Sequence, residues 1–474
     1  MIIGIGVDLC SVERLSNSIQ RTPALAARLF TAKEQNLKDE SLAARFAAKE
    51  ALAKAVGNPK LLSWLEVEVE ADQLGKPTLV VSGKSAEALN SMGVISTHLS
   101  LSHDNGFAIA MVVLEGNQMR ELRIDLGRIC SNYLALKSVF GPAKVMAVVK
   151  ANAYGHGMIE VATALDKAGV DVLGVADLDE AISLRLAGIS APVMCWLLDQ
   201  KDDLQSAVEH NIILGISTLK QLESVPREAV IHLKVDTGLG RNGFMPDQIL
   251  DVVKVIQARQ LNVQGLLSHL ANTSEAEDFA QQVVFDSVYS MLEAAGVKIE
   301  MKHLAASAAA ISYPGMRYDM VRCGIVLYGL NPFEDRALEG LAVKPVMSAM
   351  AKIANLKSVP AGQGVSYGYR YKTEKPTQLA LVPFGYAEGM PRISQGASVK
   401  IGQELFPVVG RIAMDQFVVD VGDSKISIGD EVIIFGDSGR NEPTAEQLAE
   451  SAGTVNYEVV TRIGGRANRV FLEP

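Results

Sequence analysis

Val145-Met146-Ala147-Val148-Val149 runs directly into Lys150-Ala151-Asn152-Ala153-Tyr154-Gly155-His156-Gly157. The five apolar residues read as a buried strand, which delivers Lys150 to the rim of a barrel or sheet, where loops build active sites. A desolvated lysine has a lowered pKa and can condense with a carbonyl compound as a Schiff base. For one lysine alone, an ordinary surface residue at a strand end is the plainer reading.

Outward from Lys150, short β-type runs alternate with helical ones. Apolar runs occupy 145–149, 172–176, 191–197, 211–216, 229–235, 263–268, 300–304 and 321–328, with helix-like segments at 158–168, 247–259 and 277–295. Eight strands with crossovers predict a (β/α)8 TIM barrel, with chemistry just past the strand ends. Lys150, Lys234, His269, Ser307, Arg322 and Gly324 all fall there. The alternative is a Rossmann-type sheet, set aside on the expectation that no Gly-x-Gly-x-x-Gly follows a strand in this region.

Beyond about residue 345 the segments 346–356, 378–384, 397–401, 405–409, 416–421, 430–435 and 457–472 are short and β-like, with one helix at 444–452 capped by Thr444. The expected architecture is multidomain α/β. An α+β unit at 1–116 precedes the barrel at 122–345, and a mainly β domain follows at 346–474. In the front unit a β start leads into a helical middle, 16–56, then strands at 65–70, 78–82 and 107–114. Residues 116–121 read as a join too short for independent tumbling.

Composition limits the functions on offer. Apolar residues make up 48% of the 474, enough for sizeable cores, and no run is long and apolar enough to span a bilayer. A net charge of −9 argues against nonspecific binding of nucleic acid. The start, Met1 to Asp8, lacks a basic n-region, and Cys10, Cys130, Cys195 and Cys323 lack zinc spacing, so a reduced, cytoplasmic protein is expected. Between Arg14 and Lys60 nine basic residues meet four acids, an excess that gains meaning only beside an acidic partner.

The VVKANAYGHG string resembles the cofactor-attachment segment of alanine racemase, in which the lysine carries pyridoxal 5'-phosphate (PLP). His232-Leu-Lys234-Val-Asp236-Thr237-Gly238-Leu-Gly240-Arg241 resembles that family's HLKxDTGxGR. The resemblance implies that Arg241 contacts the ring hydroxyl and substrate, and that Lys234 is a candidate for carbamylation. It also implies that Tyr154, His269, Ser307, Gly324, Ile325 and Tyr457 serve the cofactor. Arg322 falls at the position facing the pyridine nitrogen. A guanidinium can only donate, so the nitrogen there stays unprotonated and the electron sink is weak, which favours reprotonation at Cα. Lys150 serves as acid/base on one face. Val365-Ser-Tyr367-Gly resembles the segment of the catalytic tyrosine, which the family draws from a partner subunit; Tyr386, Met414 and Asp415 match entrance and carboxylate positions. One departure is Ala306, where the family has asparagine before the serine.

The front unit carries a second chemistry. Asp8 ends a strand, and Glu50 and Lys54 lie four apart on the helix Arg45-Phe-Ala-Ala-Lys49-Glu50-Ala-Leu-Ala-Lys54. A helix salt bridge is the plain reading. Asp8 and Glu50 can instead hold Mg2+, with Arg45, Lys49 and Lys54 neutralising a pyrophosphate. These strings, with Leu99-Ser-Leu-Ser102-His103-Asp104, resemble holo-acyl-carrier-protein synthase, a phosphopantetheinyl transferase fold. That family moves 4'-phosphopantetheine from coenzyme A to a serine of acyl carrier protein. The resemblance implies Asp8 and Glu50 as metal ligands and Arg45, Lys54, Ser102 and His103 as coenzyme contacts, with the basic 14–60 segment facing the acidic carrier. Gly57-Asn-Pro-Lys60 lacks the family's Gly-Thr-Gly. The expected whole is a bifunctional enzyme and a homo-oligomer, a dimer at least and a hexamer if trimeric and dimeric contacts share a centre. The alternatives are a racemase with an inactive N-terminal oligomerisation module, a non-catalytic PLP carrier, and a racemase of wider range that takes serine.

Overall fold

The computed structural model describes residues 2–71, 75–116, 119–199, 201–394 and 396–473. The chain forms two compact units, Met1–Met119 and Arg120–Pro474. Within the join expected at 116–121, residues 117 and 118 lie outside the described residues.

In the first unit the helix Asp39–Val56 lies on an antiparallel sheet ordered Ile2–Ser11, Phe107–Gly116, Val94–Asp104. Its contact face is mostly alanine, with Ala43, Ala47, Ala48 and Ala51 fully buried. Gly4 and Gly6 permit the close approach, since a Cβ on either would collide with the carbonyl of Ala55 or Ala51. Strand alternation then puts Asp8 on the same face as Gly4 and Gly6. Two elements here were not expected from sequence, the helix Gly83–Ser91 and the strand Val94–Asp104. Residues 64–66 are a 3-10 turn, so the strand expected from 65 begins at Val67.

The second unit contains all eight barrel strands, parallel and neighbour to neighbour from Met301–His303 back to Lys144–Val148 and on to Met320–Cys323. The seam between first and last is joined by one parallel bridge, Ala306 to Arg322. A Gly-x-Gly-x-x-Gly string does follow a strand, contrary to the expectation above: Gly238-Leu-Gly-Arg-Asn-Gly243 follows Val230–Lys234. It opens no helix. Asp236 gathers the N–H groups of Gly238, Gly240 and Arg241, and the chain returns to the sheet where Phe244 bridges Val235. Near-closure of the sheet, rather than missing glycines, excludes the Rossmann arrangement.

The strand expected over 321–328 stops at Cys323, because Gly324 turns the chain into the 3-10 helix Ile325–Tyr328. Residues 457–472, expected to be β, hold the helix Asn456–Arg462 before the strand Asn468–Leu472. Its β-branched residues suggested a strand, yet Asn456, Val459, Val460 and Ile463 are buried at i, i+3, i+4 and i+7, a helical period. A nine-stranded mixed sheet forms the remaining domain among the described residues, and it includes Arg120–Asp125 from ahead of the barrel, paired with Met347–Lys352. Thr444 caps the helix Ala445–Ala452 as expected. No helix of the described residues is long and apolar enough to cross a membrane.

Candidate active site

A cavity of about 520 Å³ opens at the C-terminal ends of the barrel strands. Lys150, Tyr154, Lys234, Arg241, His269, Ser307, Arg322, Gly324, Ile325 and Tyr457 all line it.

Lys150 follows the first barrel strand, and the four residues after it form a left-handed turn. Ala151, Asn152, Ala153 and Tyr154 have φ of 53°, 54°, 54° and 53°. Each L-residue held so costs roughly 1–2 kcal/mol, so the surroundings must impose the turn. Glu180 Oε1 accepts from Ala151 N at 2.6 Å, Val149 O accepts from Ala153 N at 2.8 Å, and Asn152 Oδ1 accepts from Met158 N at 2.8 Å. The turn sets the Tyr154 ring against Tyr328, with centroids 5.0 Å apart, and brings its hydroxyl where a Cβ on residue 324 would sit. A side chain at 324 would therefore displace the Tyr154 hydroxyl. Burial lowers the Lys150 pKa, aided by the charges of Arg241 and Arg322 and opposed by Glu180.

Arg322 is buried without a carboxylate partner. Nη1 donates to His303 O at 2.7 Å and His303 Nδ1 at 3.3 Å; Nη2 donates to Ser268 O at 2.6 Å, Leu304 O at 3.0 Å and His269 Nδ1 at 3.2 Å. Burial and the charges of Arg322, Arg241, Lys234 and Lys150 push His269 down to about 3, so its imidazole is neutral at pH 7. Burial, then Arg241 and Arg322, push the Lys234 amine down to about 8, where a minor neutral fraction is available for reaction at pH 7. Ser307 Oγ accepts from Gly324 N at 3.2 Å, which sets a hydroxyl beside the N–H groups that open the 3-10 turn.

Tyr367, Tyr386, Met414 and Asp415 do not line this cavity. Tyr367 is 71% exposed, on a loop where its neighbours Ser366 and Tyr369 have positive φ, and it borders a separate depression with Arg411. Met414 packs by its backbone against Gly385 and Ala387, which places Tyr386 beside it, while Asp415 pairs with Arg466 at 2.7 Å.

In the first unit Lys54 Nζ lies 2.8 Å from Asp8 Oδ1 and 3.0 Å from Val7 O, so it reaches the strand instead of Glu50 on its own helix. Burial and the Asp8 charge raise the Glu50 pKa. Lys49 overturns its expected role. It is 1% exposed, and its three hydrogens go to Glu34 Oε2 at 2.6 Å, Leu29 O at 2.9 Å and Trp64 O at 2.9 Å, which leaves no donor for a pyrophosphate. Arg45 donates to Ser41 O at 3.3 Å and keeps a buried Nε without a partner. Ser102 and His103 are exposed at the end of their strand. Among the described residues no group of three or more His, Cys, Asp or Glu side chains could hold a metal.

Sequence reasoning missed Trp196, Glu180 and the His232–His303 pair. Trp196 lines the cavity, and side chains on Gly174 or Gly215 would strike it. Two glycines inside flanking strands were the available signal.

Family models of the alanine racemase N-terminal and C-terminal domains match residues 124–332 and 346–471, and the 4'-phosphopantetheinyl transferase superfamily matches 4–112. Alanine racemase of Beutenbergia cavernae is 42% identical over 365 residues, 74% of this chain and 97% of that protein. The chain belongs to the alanine racemase family. The enzyme of Thermobifida fusca is 41% identical over 74% of this chain and 97% of its own length. The crystal structure of alanine racemase from D-cycloserine producing Streptomyces lavendulae superposes with a TM-score of 0.74 at 40% identity, over 76% of this chain and 98% of that one. The alanine racemase portion is thus fused behind a phosphopantetheinyl transferase-type domain.

The cavity fits the PLP that the family implies. An amine of lowered pKa, an all-donor arginine and a glycine cradle beside a serine hydroxyl suit an aldehyde, a ring nitrogen and a phosphate respectively.

Proposed function

We propose that this chain interconverts L- and D-alanine with PLP attached at Lys150, and that its first unit transfers 4'-phosphopantetheine from coenzyme A to acyl carrier protein. What carries the first reading is Arg322, a buried guanidinium bonded only to carbonyls and neutral imidazoles. An aspartate in its place would favour chemistry beyond Cα; an arginine keeps the reaction at proton exchange.

When bound, PLP draws charge from Cα of the substrate and so acidifies its hydrogen. Lys150 then moves a proton on one face, with its lowered pKa holding the amine ready as a base. The Tyr367 phenol of a second copy serves the other face, which fits its exposure outside its own cavity. Arg241 orients the ring hydroxyl and substrate, Tyr386, Met414 and Asp415 of the second copy line the entrance, and Ser307, Gly324, Ile325, Tyr154 and Tyr457 hold the phosphate. Lys234, charged beside Arg241, becomes a better partner for it once carbamylated. The active form is at least a dimer.

In the first unit Glu50 lies near enough to Asp8 to feel its charge, and two such carboxylates suit Mg2+, an ion that completes its shell with water and substrate phosphate. Lys54, Arg45, Ser102 and His103 contact the coenzyme. The substrates place both activities in the cytoplasm, where D-alanine feeds peptidoglycan precursors and the charged carrier feeds fatty-acid synthesis. One observation favours the second reading of this unit as an assembly module: Ile5, Val7, Leu9, Phe107, Ile109 and Met111 are all exposed along neighbouring strands.

The tests are direct. Racemisation of L-alanine by the PLP-loaded chain is lost in Lys150→Ala and Tyr367→Phe; wild-type rates in both would remove the two-base assignment. Incubation with coenzyme A, Mg2+ and apo-acyl carrier protein adds a phosphopantetheine mass to the carrier; no gain at any metal concentration leaves the module reading.

A further inference from the structure

Glu180 belongs to none of the motifs above, yet its carboxylate bridges two segments that support Lys150. Oε1 accepts from Ala151 N at 2.6 Å, and Oε2 accepts from Ala176 N at 2.9 Å. Ala151 is the first residue of the left-handed turn, and Ala176 follows the neighbouring strand Val172–Val175. Glu180 is itself held in the first turn of the helix Leu178–Leu186, where its N–H donates to Asp177 Oδ1 at 2.9 Å. A glutamate that only caps its helix reaches back to the N–H of the capping residue. Glu180 reaches one residue further and gives its other oxygen to the lysine's turn.

We propose that Glu180 is a positioning residue for Lys150: its carboxylate clamps the peptide that leaves the lysine and fixes an anion one residue from it. The inference rests on Lys150 being the lysine that carries the cofactor.

The charges around that amine give the clamp its second task. Arg241 and Lys234 face it from the strand Val230–Lys234 and its following loop, Arg322 from the strand Met320–Cys323, and neutral His269 from the loop after Asn262–Leu267. Asp236 carries a nearby carboxylate, but its oxygens are committed to the N–H groups of Gly238, Gly240 and Arg241. Among the described residues Glu180 is the carboxylate that opposes the cations at Lys150. Removing its charge leaves those cations uncompensated and drives the amine further toward its neutral form. Removing its second acceptor leaves one oxygen for two N–H groups, so either Ala151 at the head of a strained turn or Ala176 loses its partner.

Two readouts on cofactor-free protein separate charge from clamp. Trace acetylation across pH, read at Lys150 by peptide mass spectrometry, gives the amine's titration midpoint. Hydrogen exchange over residues 150–154 and at Ala176 reads the clamp. In Glu180→Gln the midpoint falls, and exchange quickens by about tenfold or more. In Glu180→Asp the midpoint stays near wild type while exchange still quickens, because the shorter side chain keeps the charge and loses the reach. With PLP bound, kcat for alanine falls in Glu180→Gln and KM stays within about twofold. Where Glu180→Gln does not fold, exchange in Glu180→Asp decides the clamp, and wild-type exchange there overturns it. Borohydride reduction with PLP must fix the cofactor to Lys150 in the wild type; labelling elsewhere sinks the reading of the site. Labelling at Lys150 with midpoint and exchange unchanged in Glu180→Gln sinks this inference alone, and leaves Glu180 a helix cap.

Discussion

Arg322 Nη1 lies 3.3 Å from His303 Nδ1, and because a guanidinium has only donors, that nitrogen accepts. The remaining protons follow in sequence. His303 Nε2 carries the hydrogen and donates to His232 Nδ1 at 2.8 Å, so His232 Nε2 donates in turn to Gln264 Oε1 at 3.3 Å. Both rings are neutral, with His232 pushed down to about 4 by burial and His303 driven well below its usual value by burial and His232. His303→Leu removes an acceptor from Arg322 and the donor from His232. Unpaired buried groups of this kind cost about 1–3 kcal/mol. Urea unfolding should show that loss, and kcat should fall roughly tenfold or more as Arg322 loses its fixed direction. A variant with wild-type stability and kcat would show that the ring chain only fills space.

Acid should weaken the second unit earlier than its carboxylates would. His156 and His232 titrate near 4 in the fold because of burial, against about 6.5 when unfolded. Folded pKa values below unfolded ones mean that the unfolded chain binds more protons as pH falls. Stability is therefore full above pH 6.5 and is lost as pH drops toward 4, by an order of 3 kcal/mol for each histidine. Calorimetry from pH 7.5 to 4.5 should show the unfolding temperature falling from about pH 6.5 downward. A flat profile between pH 6.5 and 5 would mean that these rings are hydrated.

Much of this was legible in the residues, for reasons that also explain the gaps. The barrel strands announced themselves because parallel strands buried on both faces are continuous apolar runs, as in Val145 to Val149. The strand Val94–Asp104 escaped because it exposes alternate Ser and His side chains, and Leu-Ser-Leu-Ser-His reads as a motif before it reads as a period of two. The cluster at Lys150 was readable because most of its members lie at or just past the ends of barrel strands. Its electrostatics were not, because Glu180, His232 and His303 act through hydrogen bonds whose partners are distant in sequence. Lys49 shows the opposite error: a charge on a basic segment looked like surface, yet it is sealed against Glu34.

That pair makes a stability prediction for the first unit. Lys49 and Glu34 are 1% and 2% exposed, and Glu34 also accepts from Thr31 N and Val69 N. Removing one member strands a buried charge, so Lys49→Met should destabilise the unit by about 3–5 kcal/mol. Lys49→Met combined with Glu34→Gln removes that charge and should recover part of the loss. Denaturant unfolding followed at Trp64, whose carbonyl holds Lys49, reads this directly. A double variant no better than the single would mean that the hydrogen bonds, not the charge, dominate.

Exposure of Tyr367 outside its own cavity predicts complementation between inactive chains. Lys150→Ala and Tyr367→Phe proteins, each inactive alone, are unfolded together, refolded and assayed. Random pairing makes half the dimers mixed, and each mixed dimer holds one site with both groups intact. Roughly a quarter of wild-type activity should return. If every site used its own Tyr367, mixing would restore nothing.

The strain in the turn after Lys150 can be measured at Ala151, whose side chain is a single exposed methyl. Ala151 is exposed, so its Cβ contributes no packing, yet it sits at φ 53°. Glycine there removes a steric cost of roughly 1–2 kcal/mol and adds about 0.5–1 kcal/mol of unfolded-chain entropy. Ala151→Gly should therefore raise the unfolding temperature by about 1–2 °C. Asn152→Gly should lower it, because asparagine tolerates this conformation and its Oδ1 holds Met158 N at 2.8 Å. Ala153→Gly should fall between them, since its Cβ is fully buried and its packing offsets the relief. That order would place the cost in the backbone itself, where the tethers from Glu180 and Asn152 hold four residues left-handed so that Lys150 and Tyr154 both reach the cavity. An unfolding temperature lowered by Ala151→Gly would mean the turn is not strained, and the tethers would need another reason.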